Sequence, residues 1–90
     1  MFKNRRILIV DDEPYNILGL KVLLTEASHL SILDYIDQAS SGQEAVNKIM
    51  NTFIKGDYHY GLIFMDLNMP VLNGYETTDK IRSFYTKKNF

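Results

Sequence analysis

Two short apolar runs, each ending on acid, restrict what this chain can fold into more than anything else in it. "ILIV" at residues 7–10 leads straight into Asp11, Asp12 and Glu13, then Pro14. "LIFM" at residues 62–65 leads into Asp66, with Pro70 soon after. Continuous β-branched and leucine runs of this length suit strands buried on both faces, as in parallel sheets. A single Asp or Glu past a strand commonly caps a helix or sits in a solvated turn. Two acidic groups, each behind such a run, call for a shared explanation.

The segments around these runs alternate in type. Pro14 suits a first helical turn, where its missing N–H costs nothing. Ile17, Leu20, Leu24 and Ala27, with Leu23 beside them, fall at helical spacing and predict a helix near 14–27. A more polar strand is expected over 32–38, where Asp34 and Asp37 suit an edge that discourages foreign pairing. In "SSGQEAVNKIMNTF", Ser41 precedes Glu44 in a capping-box pattern, and Gly42 is expected to permit the turn. Ala45, Ile49 and Phe53, flanked by Val46 and Met50, mark one face of a second helix. "KGDYHYG" reads as a loop before a third strand at 62–65. Asn73, with Glu76 at the third helical position, predicts another cap, opening a helix that carries Ile81 and Phe84 or Tyr85.

The order is therefore β-α-β-α-β-α. Such alternation implies a parallel sheet covered by helices, because each crossover returns over a sheet face. In open sheets of this type, ligands sit beyond the carboxyl ends of the strands, where strand order reverses. Neighbouring first and third strands would bring Asp11, Asp12 and Asp66 to one site there.

Composition narrows the chemistry. Ninety residues, 46% hydrophobic and 23% charged, make one small globular domain over 1–90. The net charge of −1 gives no pull toward nucleic acid or an anionic membrane surface. No apolar run approaches the roughly 20 residues needed to span a bilayer, and the N-terminus lacks a signal-peptide core. The absence of cysteine excludes a disulfide framework and a thiolate metal site, and fits a cytoplasmic location. Clustered carboxylates repel one another, and a divalent cation removes that penalty. With oxygen ligands alone, a hard ion such as Mg²⁺ is the natural choice over Zn²⁺. A carboxylate beside such an ion can attack phosphorus to give an acyl phosphate, and the ion offsets charge on the transferring group.

"ILIVDDEPYN", "ASSGQEAV" and "LIFMDLNMPVLNGYE" resemble three successive signature segments of the receiver domain of two-component response regulators and hybrid histidine kinases, in that family's order and near its spacing. The resemblance implies a flavodoxin-like doubly wound sheet, here partial, with strands in order 2-1-3 and the last two βα units of the 2-1-3-4-5 order lacking. It implies Asp66 as phosphoacceptor, Asp12 as a direct Mg²⁺ ligand, Asp11 as a ligand through water, and the Asn68 backbone carbonyl as a further ligand. Pro70 and Gly74 would shape the loop and launch the third helix; Glu13 has no assigned role. The implied partner is a histidine kinase or histidine phosphotransfer protein that donates from a phosphohistidine. Enzymatic activity is expected to stop at self-catalysed phosphorylation and slow self-dephosphorylation.

The sequence also departs from the family. Gly61 stands where an acidic residue is frequent. The family's fourth strand ends in a switch Ser or Thr and its fifth in a phosphoryl-contacting lysine, and neither segment lies within these 90 residues. Lys87 and Lys88 come directly after the third helix, with no strand to carry them to the site. Phosphorylation of the 90 residues alone is therefore expected to be slow or absent. The third strand would form an apolar edge, so the chain is expected to continue, to meet a strand-completing partner or to self-associate. A degenerate receiver, binding or dimerising without phosphate, is the alternative. A Mg²⁺-dependent phosphohydrolase would need a second carboxylate at position 68, where Asn stands.

Other residues carry plainer readings. His29 at a helix end and His59 in a polar loop are read as solvated. Tyr58, Tyr60 and Tyr75 are read as half-buried packing residues, since the basic stripe of a single-strand binder is missing. Met65 and Met69 are read as packing, and "SSG" is too short for a phosphate-cradling loop.

Overall fold

The structure, a computed structural model, describes residues 5–28, 31–56 and 58–87. His29 and Lys88, read from the sequence above, lie outside the described residues. The elements run β1 (Arg5–Val10), α1 (Pro14–Ser28), a 3₁₀ turn (Leu33–Tyr35), β2 (Ile36–Ala39), α2 (Gly42–Lys55), β3 (His59–Met65) and α3 (Gly74–Lys87). The three strands form one parallel sheet in the order β2-β1-β3. The expected 2-1-3 order and three-helix doubly wound fold are what the chain adopts.

β1 is central because nothing in its second half needs water. Ile7, Leu8, Ile9 and Val10 are all buried. Leu8 and Val10 point into a core with Ala39, Ala45, Ile49, Tyr60, Met69 and Ile81, closed by α2 and α3. Ile7 and Ile9 point the other way, onto Ile17, Ile32 and Ile36 beneath α1.

Two expected boundaries shift. Residues 32–35 are not strand: Ile32 is buried and its carbonyl accepts from the Tyr35 N–H at 2.9 Å, closing the 3₁₀ turn before β2 starts. β3 begins at His59, inside the expected loop. Arg6 pairs with Tyr60 but Ile7 pairs with Leu62, so Gly61 is a bulge residue. The bulge resets the alternation and puts Tyr60 in the same core as Ile63 and Met65. His59 is accordingly a half-buried strand residue with its ring 5.2 Å from that of Phe53, not a loop side chain. On α1, Ile17 is buried and Leu20 and Leu24 pack, but Ala27 and Leu23 face outward.

Polar contacts fix the ends. Ser41 caps α2 as expected, its Oγ accepting from the Glu44 N–H at 3.1 Å, while Glu44 Oε2 reaches back to Ser40, one residue earlier than a standard box. Asn73 and Glu76 form the full reciprocal box at α3, at 2.9 and 3.2 Å. Asp37 is no bare edge charge. Arg6 donates to it twice, from Nε at 3.1 Å and Nη2 at 2.8 Å, and the Tyr60 hydroxyl donates at 2.7 Å. Burial pushes the Asp37 carboxyl up, but these partners outweigh it and hold it below its usual range. Burial, then the bond to Asp37, pushes the Tyr60 hydroxyl well up. Tyr58 packs beneath the Arg6 guanidinium at 5.3 Å, whereas Tyr75 is largely exposed rather than half-buried.

Candidate functional site

The acids reach one place because the sheet's hydrogen bonding carries them there. The Asp11 N–H donates to Ala39 O at 3.1 Å and the Asp66 N–H donates to Val10 O at 2.9 Å, each extending a ladder by one residue past its strand. Both residues thus leave neighbouring strands at the same, carboxyl, end of the sheet. Asp11, Asp12 and Asp66 each offer a carboxylate oxygen, and these atoms lie within 4.8 Å of one another.

Local bonds orient the side chains. Glu13 N–H donates to Asp11 Oδ1 at 2.9 Å, and Asn16 Nδ2 approaches the same oxygen at 3.4 Å. Asn68 N–H donates to Asp66 Oδ1 at 3.2 Å. Glu13 acquires a role here: its carbonyl accepts from Asn16 N–H at 3.0 Å and its side chain lies 3.4 Å from Tyr15 N, opening α1. Asp11, Asn16, Phe64, Met65 and Asp66 line a cleft of about 190 Å³. Asp11 and Asp66 are half-buried and Asp12 is exposed.

The loop after Asp66 is pinned. Met69 is buried in the larger core, as the packing reading expected. Leu72 N–H donates to Pro70 O at 2.8 Å across Val71, whose φ is +67°. That is a γ-turn of the rarer, strained sense. Pro70 and Gly74 bracket this loop. A Cβ on Gly74 would overlap the Asp66 carbonyl oxygen and lie 2.7 Å from Leu67 Cα, so α3 can start against the Asp66 backbone only with glycine there.

The donor set fits a hard divalent ion. Oxygens on an octahedral Mg²⁺ with bonds of about 2.1 Å are about 3.0 Å apart at adjacent corners and about 4.2 Å apart at opposite ones. The three carboxylate oxygens lie within 4.8 Å of one another, close enough to gather around one such ion. Asn16 was not singled out from sequence; its place one helical turn past the paired acids was the available signal.

Residues 7–89 match the family described as response regulator receiver domain. The chain belongs to that family. Sensor protein EvgS of Escherichia coli K12 is 39% identical over 77 residues, spanning 84% of this chain and 5% of EvgS. A chain in the co-crystal structure of the Saccharomyces cerevisiae phosphotransfer protein Ypd1 with the Ssk1 receiver domain matches at 35% identity and TM-score 0.68, covering 99% of this chain and 54% of that one. The Arabidopsis thaliana CKI1 receiver domain, complexed with Mg²⁺ and BeF₃⁻, matches at 26% identity and TM-score 0.71, covering 99% of this chain and 62% of that one. The chain thus spans a small fraction of EvgS and less than two thirds of either solved chain. The matched receiver span contains all three aspartates. Among the described residues, no helix is long and apolar enough to cross a membrane.

Proposed function

We propose that this receiver is a phosphoacceptor module of a two-component phosphorelay, with Asp66 taking a phosphoryl group from a phosphohistidine. The donor is a histidine kinase or histidine phosphotransfer protein, a partner class supported by the structural match to a complex containing Ypd1. The observation that carries the reading is the convergence of Asp11, Asp12 and Asp66 at the carboxyl end of the sheet.

Asp12 and Asp66 would hold Mg²⁺ directly, Asp11 through water, and the Asn68 carbonyl would complete the protein's share; the match to a Mg²⁺ complex supports this assignment. When bound, the ion offsets negative charge on the transferring group. The Asn68 N–H on Asp66 Oδ1 orients the carboxylate, leaving its other oxygen to bond to phosphorus. As that P–O bond forms, the P–N bond of the donor breaks, and the imidazole nitrogen keeps the electron pair and takes up a proton. Asn16 and the Glu13 N–H keep Asp11 turned toward the cleft.

The test is an intact mass after incubation with Mg²⁺ and a small acyl-phosphate donor, suited to a slow reaction because it reads the adduct and not turnover. One added phosphoryl group is expected, lost in Asp66→Asn and on chelation. A folded chain that includes the family's fourth and fifth strands and still takes up no phosphoryl group contradicts the reading. An interaction or dimerisation module is favoured by the exposed Leu18, Val22 and Leu23 on α1 and Leu62 on β3. Concentration-dependent association without any adduct would put that second reading first.

A further inference from the structure

Gly42 is not a turn glycine. It is buried inside the first turn of α2, and among the described glycines only Gly56 has positive φ. What excludes a side chain is contact: a Cβ there would overlap Thr77 Oγ1 and lie 2.8 Å from the Leu72 carbonyl oxygen and 3.1 Å from Leu72 Cδ2. Thr77 cannot swing aside. It is 0% exposed, and its Oγ1 donates to Asn73 O at 2.8 Å while its N–H donates to the same carbonyl at 2.9 Å.

Thr77 and Gly74 share the first turn of α3. Gly74 sits against Asp66 O and Leu67 Cα, and its N–H donates to Leu67 O at 3.3 Å. Two close approaches therefore meet in one turn, the first from α2 and the second onto the Asp66 backbone. Close-packed interiors transmit such displacements because there is no void to absorb them.

We infer that Gly42 is a remote positioning residue for Asp66, acting through Thr77, Leu72 and Gly74 without touching the aspartate cluster; its bearing on phosphorylation rests on the phosphoacceptor reading above. A methyl group at position 42 pushes the α3 first turn, and with it residues 66–68. The nearest comparison is Gly19 in α1, where an added Cβ meets nothing within 4 Å.

The experiment is amide NMR on the 90-residue chain and its Gly42→Ala, Gly42→Ala/Thr77→Ala, Thr77→Ala, Gly19→Ala and Leu24→Ala variants, followed by Mg²⁺ titration of each. In Gly42→Ala the amides of Asp66, Leu67 and Asn68 are expected to move, and Mg²⁺ affinity to fall about tenfold. Adding Thr77→Ala removes the side-chain part of the overlap and returns part of both changes. Leu24→Ala lowers stability without moving those amides, which separates positioning from general destabilisation. Thr77→Ala alone removes Oγ1, the atom nearest position 42, with no added group, and decides the matter should Gly42→Ala fail to fold. Amides at 66–68 unmoved in both Gly42→Ala and Thr77→Ala overturn the inference. A parent chain that binds no Mg²⁺ overturns the metal assignment instead, while the amide shifts still decide the role of Gly42.

Discussion

Leu8 and Val10 on one side of β1 lie under two helices, α2 and α3, whereas Ile7 and Ile9 on the other side lie under α1 alone. Yet α1 is the helix richest in aliphatic residues. Ile17, Leu18, Leu20, Val22, Leu23 and Leu24 run around most of its circumference, and only Ile17 is buried, with Leu18 59% and Leu23 66% exposed. A helix apolar on all sides is ordinarily an interior one. Here burial is decided by how many elements cover a face, and not by how greasy the covering helix is.

The largest test of that contrast is a pair of truncations. Ile49→Ala, beneath the two-helix face, is expected to cost about 3 kcal/mol through lost transfer energy and a cavity. Leu23→Ala, on the open side of α1, should cost no more than about 0.5 kcal/mol. Urea denaturation of both variants reads the difference, and equal losses would break the contrast.

Next in size is the clasp across all three strands of Arg6, Asp37 and Tyr60. Tyr60→Phe removes a hydrogen bond to a charged acceptor and is expected to cost about 1.5 kcal/mol at neutral pH. The pH dependence has a definite sign. A tyrosine raised above 10.0 on folding contributes fully below that pH and loses its contribution as pH rises above it. Asp37, lowered from 3.8, contributes above that value and loses its contribution as pH falls below it. Denaturant midpoints across the alkaline range should fall less in Tyr60→Phe than in the parent chain.

Smaller effects sharpen the same comparison. Gly19→Ala adds a helix-favouring methyl where there is open space, and should stabilise by about 0.5–1 kcal/mol. The same methyl at Gly42, facing the covered side, destabilises. Smallest is Val71→Gly. Val71 is fully exposed at positive φ, so its side chain offers little to set against backbone strain. Relief of that strain, partly offset by a more flexible unfolded chain, should leave a gain of about 0.5 kcal/mol in thermal or urea unfolding.

The convergence of Asp11, Asp12 and Asp66 was readable from the sequence because these residues are defined by strand ends. An apolar run that stops on Asp11, and another that stops on Asp66, carry their own positions with them once the strands are neighbours. β3's start was not readable, since the Gly61 bulge shifts the face on which Tyr60 falls and breaks the two-residue period that would have marked it. Ile32 was read as strand for a related reason: it is buried, but by a 3₁₀ turn, and burial alone does not distinguish the two. Gly42 and Gly74 show the deeper limit. Their identities answer to Thr77 and to the Asp66 backbone, residues distant in sequence, and no local pattern encodes such a contact. The Asn73–Glu76 box, by contrast, is wholly local, and the structure has it as the sequence reads.

The phosphoacceptor account stands on one hard cation being shared by both acidic segments. The most direct measurement is a crystal structure of the chain grown with Mn²⁺ in place of Mg²⁺, with the ion located by its anomalous scattering. The account predicts a single ion in contact with Asp12, Asp66 and the Asn68 carbonyl, and one water away from Asp11. A saturated crystal with no ion there, or with one held by residues 11–12 and out of reach of Asp66, would contradict it.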